Sequence, residues 1–462
     1  MVEVRAADAV PVVAGSRSES PERDILWALF GALDAAGVPY CVVRGYQGEL
    51  ADPDRDVDCL LPKDALPRRL AALLHEQSSE IGAELVQWHD PHYLILAATG
   101  PDGTPRFVRL DCATDLERAG RRFYDGAEVL AKRRDYRTWW APAAAVEFAW
   151  YAVERVIKGA VRPADVPRLD QVFHEDPDGA AREVERLWGA ECARRVVAAA
   201  TSGDWSGVMA EIPSLRAEVL RRATRHRPLR TAVNRTGAVL GRARRWLHPT
   251  GGLHVVLVGP DGVGKSSVID RVRRDLAPAF GDRQYFDTFA PSILGNRSQA
   301  VLDAHGPHAL PPRSLPASVL KGLYWAVFYS LGYFVTIYPA LARSALAINH
   351  RYLIDAIVDP RRYRYAGPRW LLDLAWRLAH KPDLVILLDA PPEVVQARKQ
   401  EVTFAETARQ RDAFHAFVAP LPYGHVVDAT QPLAAVVTDV DRIILRHLAG
   451  RVARRFGLDG KP

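Results

Sequence analysis

The sequence predicts an α/β chain in three parts. A C-terminal domain has a parallel sheet with helices on both faces, an N-terminal domain is also α/β, and a helical connector joins them. Three observations predict this. The chain has 462 residues, 48% of them apolar, more than one ordinary core organises, so two or three domains are expected. From His254 onward strand-like runs alternate with helical periods, the pattern of parallel strands joined by helical crossovers. Residues from about 22 to 140 also alternate helix and strand, whereas 141–252 is rich in Ala, Arg and Glu and reads as helical.

In chain order, residues 1–21 are polar and are expected to form a disordered tail. Within 22–140, Asp24–Ala36 reads as a helix, Pro39–Val43 and Asp56–Leu61 as strands, and Asp64–Leu74 as a helix. His92–Ala97 and Arg106–Asp111 read as strands closing on the loop Gly100-Pro101-Asp102-Gly103. The connector, 141–252, ends at the breaker Pro249-Thr250-Gly251-Gly252. The last domain, 253–450, opens with the short apolar strand His254–Val258 and a helix over Ser267–Leu276. Gly322–Ala342 has no charged residue and is long enough to cross a bilayer. It is crowded with Tyr324, Trp325, Phe328, Tyr329, Tyr333, Phe334 and Tyr338, and Gly332 and Pro339 interrupt it. Such aromatics favour interfaces or packed cores, and a span would split the last domain, so a buried or interfacial helix is expected. No internal repeat is visible.

Four widely spaced cysteines (Cys41, Cys59, Cys112, Cys192), with no CxxC and no secretory signal, point to a reducing, cytosolic chain without structural disulfides or a cysteine zinc site. The net charge of +6 is uneven. Arg216 to Arg245 holds ten arginines and one acid, Glu218, so this segment carries +9 and the rest of the chain −3. A solvated helix is one reading. Contact with an anionic membrane, a lipid-linked sugar phosphate or nucleic acid is the other. No aromatic ladder or nucleic-acid motif accompanies the arginines, so nucleic acid is the weakest of these. Peripheral attachment at the inner membrane surface fits the same segment, and a homodimer is compatible with the sequence.

Gly259-Pro260-Asp261-Gly262-Val263-Gly264-Lys265-Ser266 fits the phosphate-binding pattern G-x-x-x-x-G-K-[ST], set between a strand and a helix. Glycines let the backbone curl so that amides point at phosphate oxygens, and the helix N-terminus adds partial positive charge. Lys265 is placed to reach the outer phosphates of a nucleotide and Ser266 to hold Mg²⁺.

This loop, extended by Ser267, is followed by Arg351-Tyr352, the strand Pro382 to Asp389, Pro391-Pro392-Glu393, Arg398-Lys399 and Val426 to Pro432. That ordered series resembles thymidylate kinase-like proteins over roughly 253–448. The resemblance implies an ATP-dependent phosphotransferase that uses Mg²⁺. Gly259, Pro260, Asp261, Gly262, Val263, Gly264, Lys265, Ser266 and Ser267 would bind the nucleotide. Lys265, Asp261, Arg351 and Arg398 would be catalytic. In the family the acid at the Asp261 position meets the acceptor sugar, and the arginine at the Arg351 position meets the acceptor phosphate. Arg398, Lys399, Arg409 and Arg411 flank 400–410, where the lid would lie. Asp389, at the end of its strand, would act on Mg²⁺ through water or cap the following helix.

Two positions depart from the family. The acid normally preceding the arginine is His350 here, with Asp355 and Asp359 just downstream as possible replacements. The Arg-Glu-Pro segment that grips a nucleotide acceptor is replaced by Tyr285 to Pro291, which keeps only the proline. Arg361, Arg362 and Arg364 offer other cations for a phosphorylated or sugar-like acceptor.

In the N-terminal domain Arg44-Gly45, Asp56-Val57-Asp58 and Asp111 form a second constellation. Strand alternation puts Asp56 and Asp58 on one face. The set resembles the nucleotidyltransferase superfamily, which implies a second metal site on Asp56, Asp58 and Asp111. Three functions follow: a kinase of unidentified acceptor, a bifunctional kinase and nucleotidyltransferase of glycan or lipid-linked sugar assembly, and an ATP-binding regulator with weak turnover, which His350 would favour.

Overall fold

Two five-stranded sheets organise the chain. The computed structural model describes residues 21–44, 56–136, 139–226, 228–281, 283–287, 308 and 310–459. The expected tail, apart from its last residue, lies outside these residues, as do Gly45 and 288–291.

The first sheet comprises β1 (Cys41–Arg44), β2 (Val57–Leu60), β3 (Glu84–His89), β4 (Tyr93–Thr99) and β5 (Pro105–Ala113), in the order β1-β2-β5-β4-β3. β2 and β5 are parallel and the other pairs antiparallel. The β4–β5 turn is the expected one, with Gly103 at φ +79° and Gly100 N donating to Thr104 O at 2.8 Å. The second helix begins at Arg68 rather than Asp64, because Pro62 and Pro67 hold the preceding turn. β3 has no counterpart in the sequence-based expectation.

Alternation along β4 divides its side chains between two cores. Leu94 and Leu96 pack with Leu26, Phe30, Leu33, Leu70 and Leu74 from the helices Pro21–Ala35 and Arg68–Glu76. Ile95 and Ala97, with Val86 and Phe107, instead join the core of the C-terminal domain beside Leu276, Phe280, Val440, Ile444 and Leu448. The two α/β regions therefore share one apolar interior.

The hairpins β6–β7 (Asp115–Arg118, Arg121–Asp125) and β8–β9 (Arg134–Tyr136, Trp139–Ala141) lead into the helical region. This is no loose connector. Phe148, Trp150, Leu169, Phe173, Trp188 and Val196 form a core that closes on Cys41 and Leu60 of the first sheet. All four cysteines are free.

The second sheet is wholly parallel, with β10 (Leu253–Val258) central in the order β11-β12-β10-β13-β14. Its other strands are β11 (Gln284–Asp287), β12 (Leu346–Asn349), β13 (Leu384–Asp389) and β14 (Gly424–Asp428). All six β10 residues are buried, as a strand covered on both faces requires. Each buried Val or Leu contributes roughly 1.5–3 kcal/mol relative to exposure. Val255 and Leu257 face the helices Lys265–Asp275 and Leu433–Phe456. Val256 and Val258 face the aromatic helix Leu315–Val335 and its neighbours. The expected α/β sandwich is present, and the C-terminal ends of β10, β12 and β13 converge on one site.

Candidate active site

β10 runs straight into the phosphate loop. At Gly259 (φ +146°) an added Cβ would stand 2.6 Å from Leu388 O at the end of β13, so glycine is required there. Gly262 (φ +89°) and Gly264 (φ +108°) hold backbone shapes that side chains resist. The helix starts at Lys265, and its first amides have no intrahelical acceptor.

Lys265 is buried and turned onto the loop itself. Its Nζ donates to Gly259 O at 2.7 Å and Pro260 O at 3.0 Å. Burial lowers its pKa, while Asp261, 3.7 Å away, opposes the shift.

Asp261 is the hub of the site. Arg351 Nη2 donates to it at 2.7 Å, and Arg362 pairs with its other oxygen. Burial would raise its pKa, but Lys265, Arg351 and Arg362 outweigh burial and hold it at about 2. The two residues expected on the acceptor, Asp261 and Arg351, thus bind each other. Of the three arginines expected as acceptor cations, Arg361, Arg362 and Arg364, only Arg362 reaches Asp261. Arg364 donates to Pro311 O instead, and Arg361 is exposed.

Ser266 Oγ lies 3.3 Å from His350 Nε2. Burial, then Lys265 and Arg351, push His350 down to about 3, so it is neutral at physiological pH. The residue replacing the expected acid thus sits on the hydroxyl expected to hold Mg²⁺.

The nearby carboxylates have partners of their own. Asp355 is buried and accepts from Tyr352 N at 3.1 Å, capping its own helix. Asp359 accepts from His308, Gln410 and Arg362 N. Asp389, expected to act on Mg²⁺ through water or to cap a helix, is gripped at both oxygens by Arg411 at 2.7 and 2.8 Å, and His415 lies 3.0 Å away. Ser266 would offer its hydroxyl to a Mg²⁺ ion at this loop. That fits an ion held mainly by phosphate oxygens and water, as is usual for Mg²⁺.

Arg398, Lys399 and Arg409, which flank the expected lid, are exposed but anchored. Arg398 donates to Val263 O at 3.1 Å and so braces the phosphate loop. Lys399 covers Gly262, whose Cβ position is 3.0 Å from the lysine Cβ. Arg409 pairs with Glu406 and donates to Val358 O.

In the N-terminal sheet Asp58 stands opposite Asp111 in the β2–β5 register. Burial pushes Asp58 up to about 6, against Arg44 and with Asp111 adding to it. Burial and Asp56 also raise Asp111. Cations answer these acids: Arg44 lies 2.6 Å from Asp58 and Arg109 3.3 Å from Asp56, which also accepts from Tyr93 at 3.0 Å.

The C-terminal site is a nucleotide phosphate loop on a parallel sheet, ringed by arginines. The same region of the chain is similar to thymidylate kinases. A thymidylate kinase of Leuconostoc citreum is 24% identical over 222 residues, 43% of this chain and 97% of that protein. One from Limosilactobacillus fermentum is 29% identical over 209 residues, 41% of this chain and 92% of that protein. A solved thymidylate kinase from Ehrlichia chaffeensis covers 42% of this chain at 17% identity, with a TM-score of 0.32. No protein-family model matches the chain.

Proposed function

We propose that the chain is an ATP-dependent nucleotide kinase whose chemistry lies in the C-terminal domain. The observation that carries this is Asp261, held between the phosphate-loop lysine and two arginines from a later segment. A phosphate loop alone binds a nucleotide. Arginines brought against it supply a place for a second phosphorylated molecule, which phosphoryl transfer requires. Similarity to thymidylate kinases over this region supports the same reading.

In this account the loop amides and Lys265 hold the phosphates of ATP. Lys265 exchanges the carbonyls of Gly259 and Pro260 for phosphate oxygens. Mg²⁺ held there would supply neutralisation of the phosphate charge. Ser266 offers it a hydroxyl, and His350 orients that hydroxyl. Arg351 and Arg362 receive the acceptor phosphate, and Asp261 keeps both guanidinium groups in place before it arrives. Arg398 holds the loop by Val263 O.

The acceptor that best fits is a nucleoside monophosphate, with a phosphorylated sugar as the competing outcome. The test is ADP release from ATP and Mg²⁺ across a panel of both classes, with Lys265→Ala as the blank. Release dependent on a nucleoside monophosphate and absent from the blank is expected. Release with no acceptor would contradict the reading and leave an ATPase, and no release with any acceptor would leave an ATP-binding regulator.

A second reading concerns the N-terminal domain. The pairing of Asp58 with Asp111 favours a nucleotidyltransferase-like site, either recognising substrate or adding a nucleotidyl step in glycan or lipid-linked sugar assembly. Asp58→Asn would then abolish pyrophosphate release from a nucleoside triphosphate while leaving the kinase step intact. Pyrophosphate release unaffected by Asp58→Asn would remove this reading.

A further inference from the structure

Three helices turn apolar rows away from the protein. Along Leu315–Val335, the residues Leu320, Leu323, Tyr324, Val327, Leu331, Phe334 and Val335 fall on one side at helical spacing, with Leu320 70% and Leu331 62% exposed. The opposite side, with Trp325, Tyr329 and Tyr333, is buried in the domain core. Beside it the helix Arg369–Leu378 exposes Trp370, Leu374 and Leu378 at i, i+4, i+8. The two are in contact: Ser330 Oγ donates to Leu378 O, and Gly322 stands against Leu371.

The third helix, Pro228–Leu247, belongs to the arginine-rich segment. Leu229, Val233, Leu240 and Leu247 form one stripe, with Val233 67% and Leu240 68% exposed. Its other side meets the protein: Thr231 is buried, and Asn234 donates to Glu117. The exposed rows are joined. Tyr338, just beyond the aromatic helix, donates its hydroxyl to Trp246 O at 2.5 Å and Leu247 O at 3.1 Å. An amphipathic helix that buried its apolar stripe would face the other way.

We propose that these three helices form a docking surface for an anionic lipid leaflet, on which the protein lies without crossing it. The apolar rows enter the headgroup–acyl boundary. The segment 216–245 carries ten arginines against one acid in its sequence, a net positive charge that attracts lipid phosphates. That charge selects this occupant over a second copy of the chain, which would bring the same cations against themselves. Length and composition alone would let Leu315–Ala342 span a bilayer. Its buried face, packed on β10 and on Tyr352 with Tyr329 4.8 Å away, requires it to stay in the plane.

The test is flotation of the full chain with phosphatidylcholine vesicles, with and without phosphatidylglycerol. About tenfold more protein should float with the anionic vesicles than with neutral ones, and the excess should vanish in high salt. Carbonate should strip the protein. Leu240→Glu with Leu331→Glu should abolish flotation while melting temperature and kinase turnover in solution stay unchanged. Both substitutions are at exposed positions away from the phosphate loop. Equal flotation with both vesicle types, no flotation, or flotation unaffected by the double substitution would overturn the proposal. Retention after carbonate would overturn it in favour of a span. A dimer in sedimentation velocity that is broken by Leu331→Glu, without vesicle binding, would assign the surface to a second copy.

Discussion

His350 Nε2 and Ser266 Oγ lie 3.3 Å apart, so a neutral imidazole occupies the place beside the hydroxyl proposed to meet Mg²⁺, where an acid is expected. This contact ties the ends of two adjacent strands, β12 and β10, through the loops that follow them. An acid there would offer a charged ligand or anchor a metal-bound water, and an imidazole offers neither charge.

His350→Asp should therefore lower the Mg²⁺ concentration needed for half-maximal activity. The expected change is roughly tenfold, which corresponds to ~1.4 kcal/mol for one added carboxylate near a divalent ion. Mg²⁺ titration of ADP release by both proteins measures it. An unchanged Mg²⁺ requirement would show that His350 only packs.

Asp261→Asn should destabilise the chain strongly, because it leaves Arg351, Arg362 and Lys265 buried with their shared anion gone. Breaking such a site by removing one partner costs about 3–5 kcal/mol. Denaturant unfolding gives the value. Arg361→Ala, at an exposed position in the same segment, should change stability by less than about 0.5 kcal/mol.

Much of the site was legible in the sequence, and the contrast between Lys265 and Arg362 shows where that ended. Lys265 is fixed by a pattern eight residues long, because its chemistry depends on the loop it sits in. Arg362 reaches an aspartate 101 residues away, and only the order of the parallel strands brings the two together. Arg361 and Arg364 looked equivalent to it. β3 was missed for a related reason. Its apolar run is interrupted by Gln87, which is buried because it donates to Ala279 O of the C-terminal domain at 2.9 Å. A polar residue satisfied across a domain boundary reads as a surface residue until the partner is known. Asp389 was correctly placed at a strand end, but its partner Arg411 comes from the helix Phe404–Val418.

Three buried histidines should each contribute stability that acid removes above the usual carboxylate range. Burial lowers His89 and His254 to about 4 and His350 to about 3. The unfolded chain takes up these protons near pH 6.5, whereas the folded chain resists until pH 4 or below. At these sites the unfolded state thus binds more protons in this window, and the stability they contribute is lost as pH drops from about 6.5 to 4. His254→Asn should flatten the decline in melting temperature over that range. An identical decline would remove His254 as a source of it.

Asp441 acts in the opposite sense. It is buried on the helix Leu433–Phe456, neither carboxyl oxygen has a partner among the described residues, and burial with Asp275 nearby pushes it up to about 8. The folded chain then holds a proton that the unfolded chain has lost, so stability falls as pH rises from about 4 to 8. Asp441→Asn should raise the melting temperature at pH 8, by an amount that shrinks toward zero near pH 4. A gain independent of pH would contradict the assignment.

The central claim is that the phosphate leaving ATP at Lys265 goes to a nucleotide beside Arg351. A single-turnover reaction with γ-labelled ATP, Mg²⁺ and a nucleoside monophosphate tests it directly. The account predicts label in the nucleoside diphosphate from the wild-type chain, and at least about a hundredfold less from Arg351→Ala. Label found only in inorganic phosphate, or transferred equally well by Arg351→Ala, would contradict it.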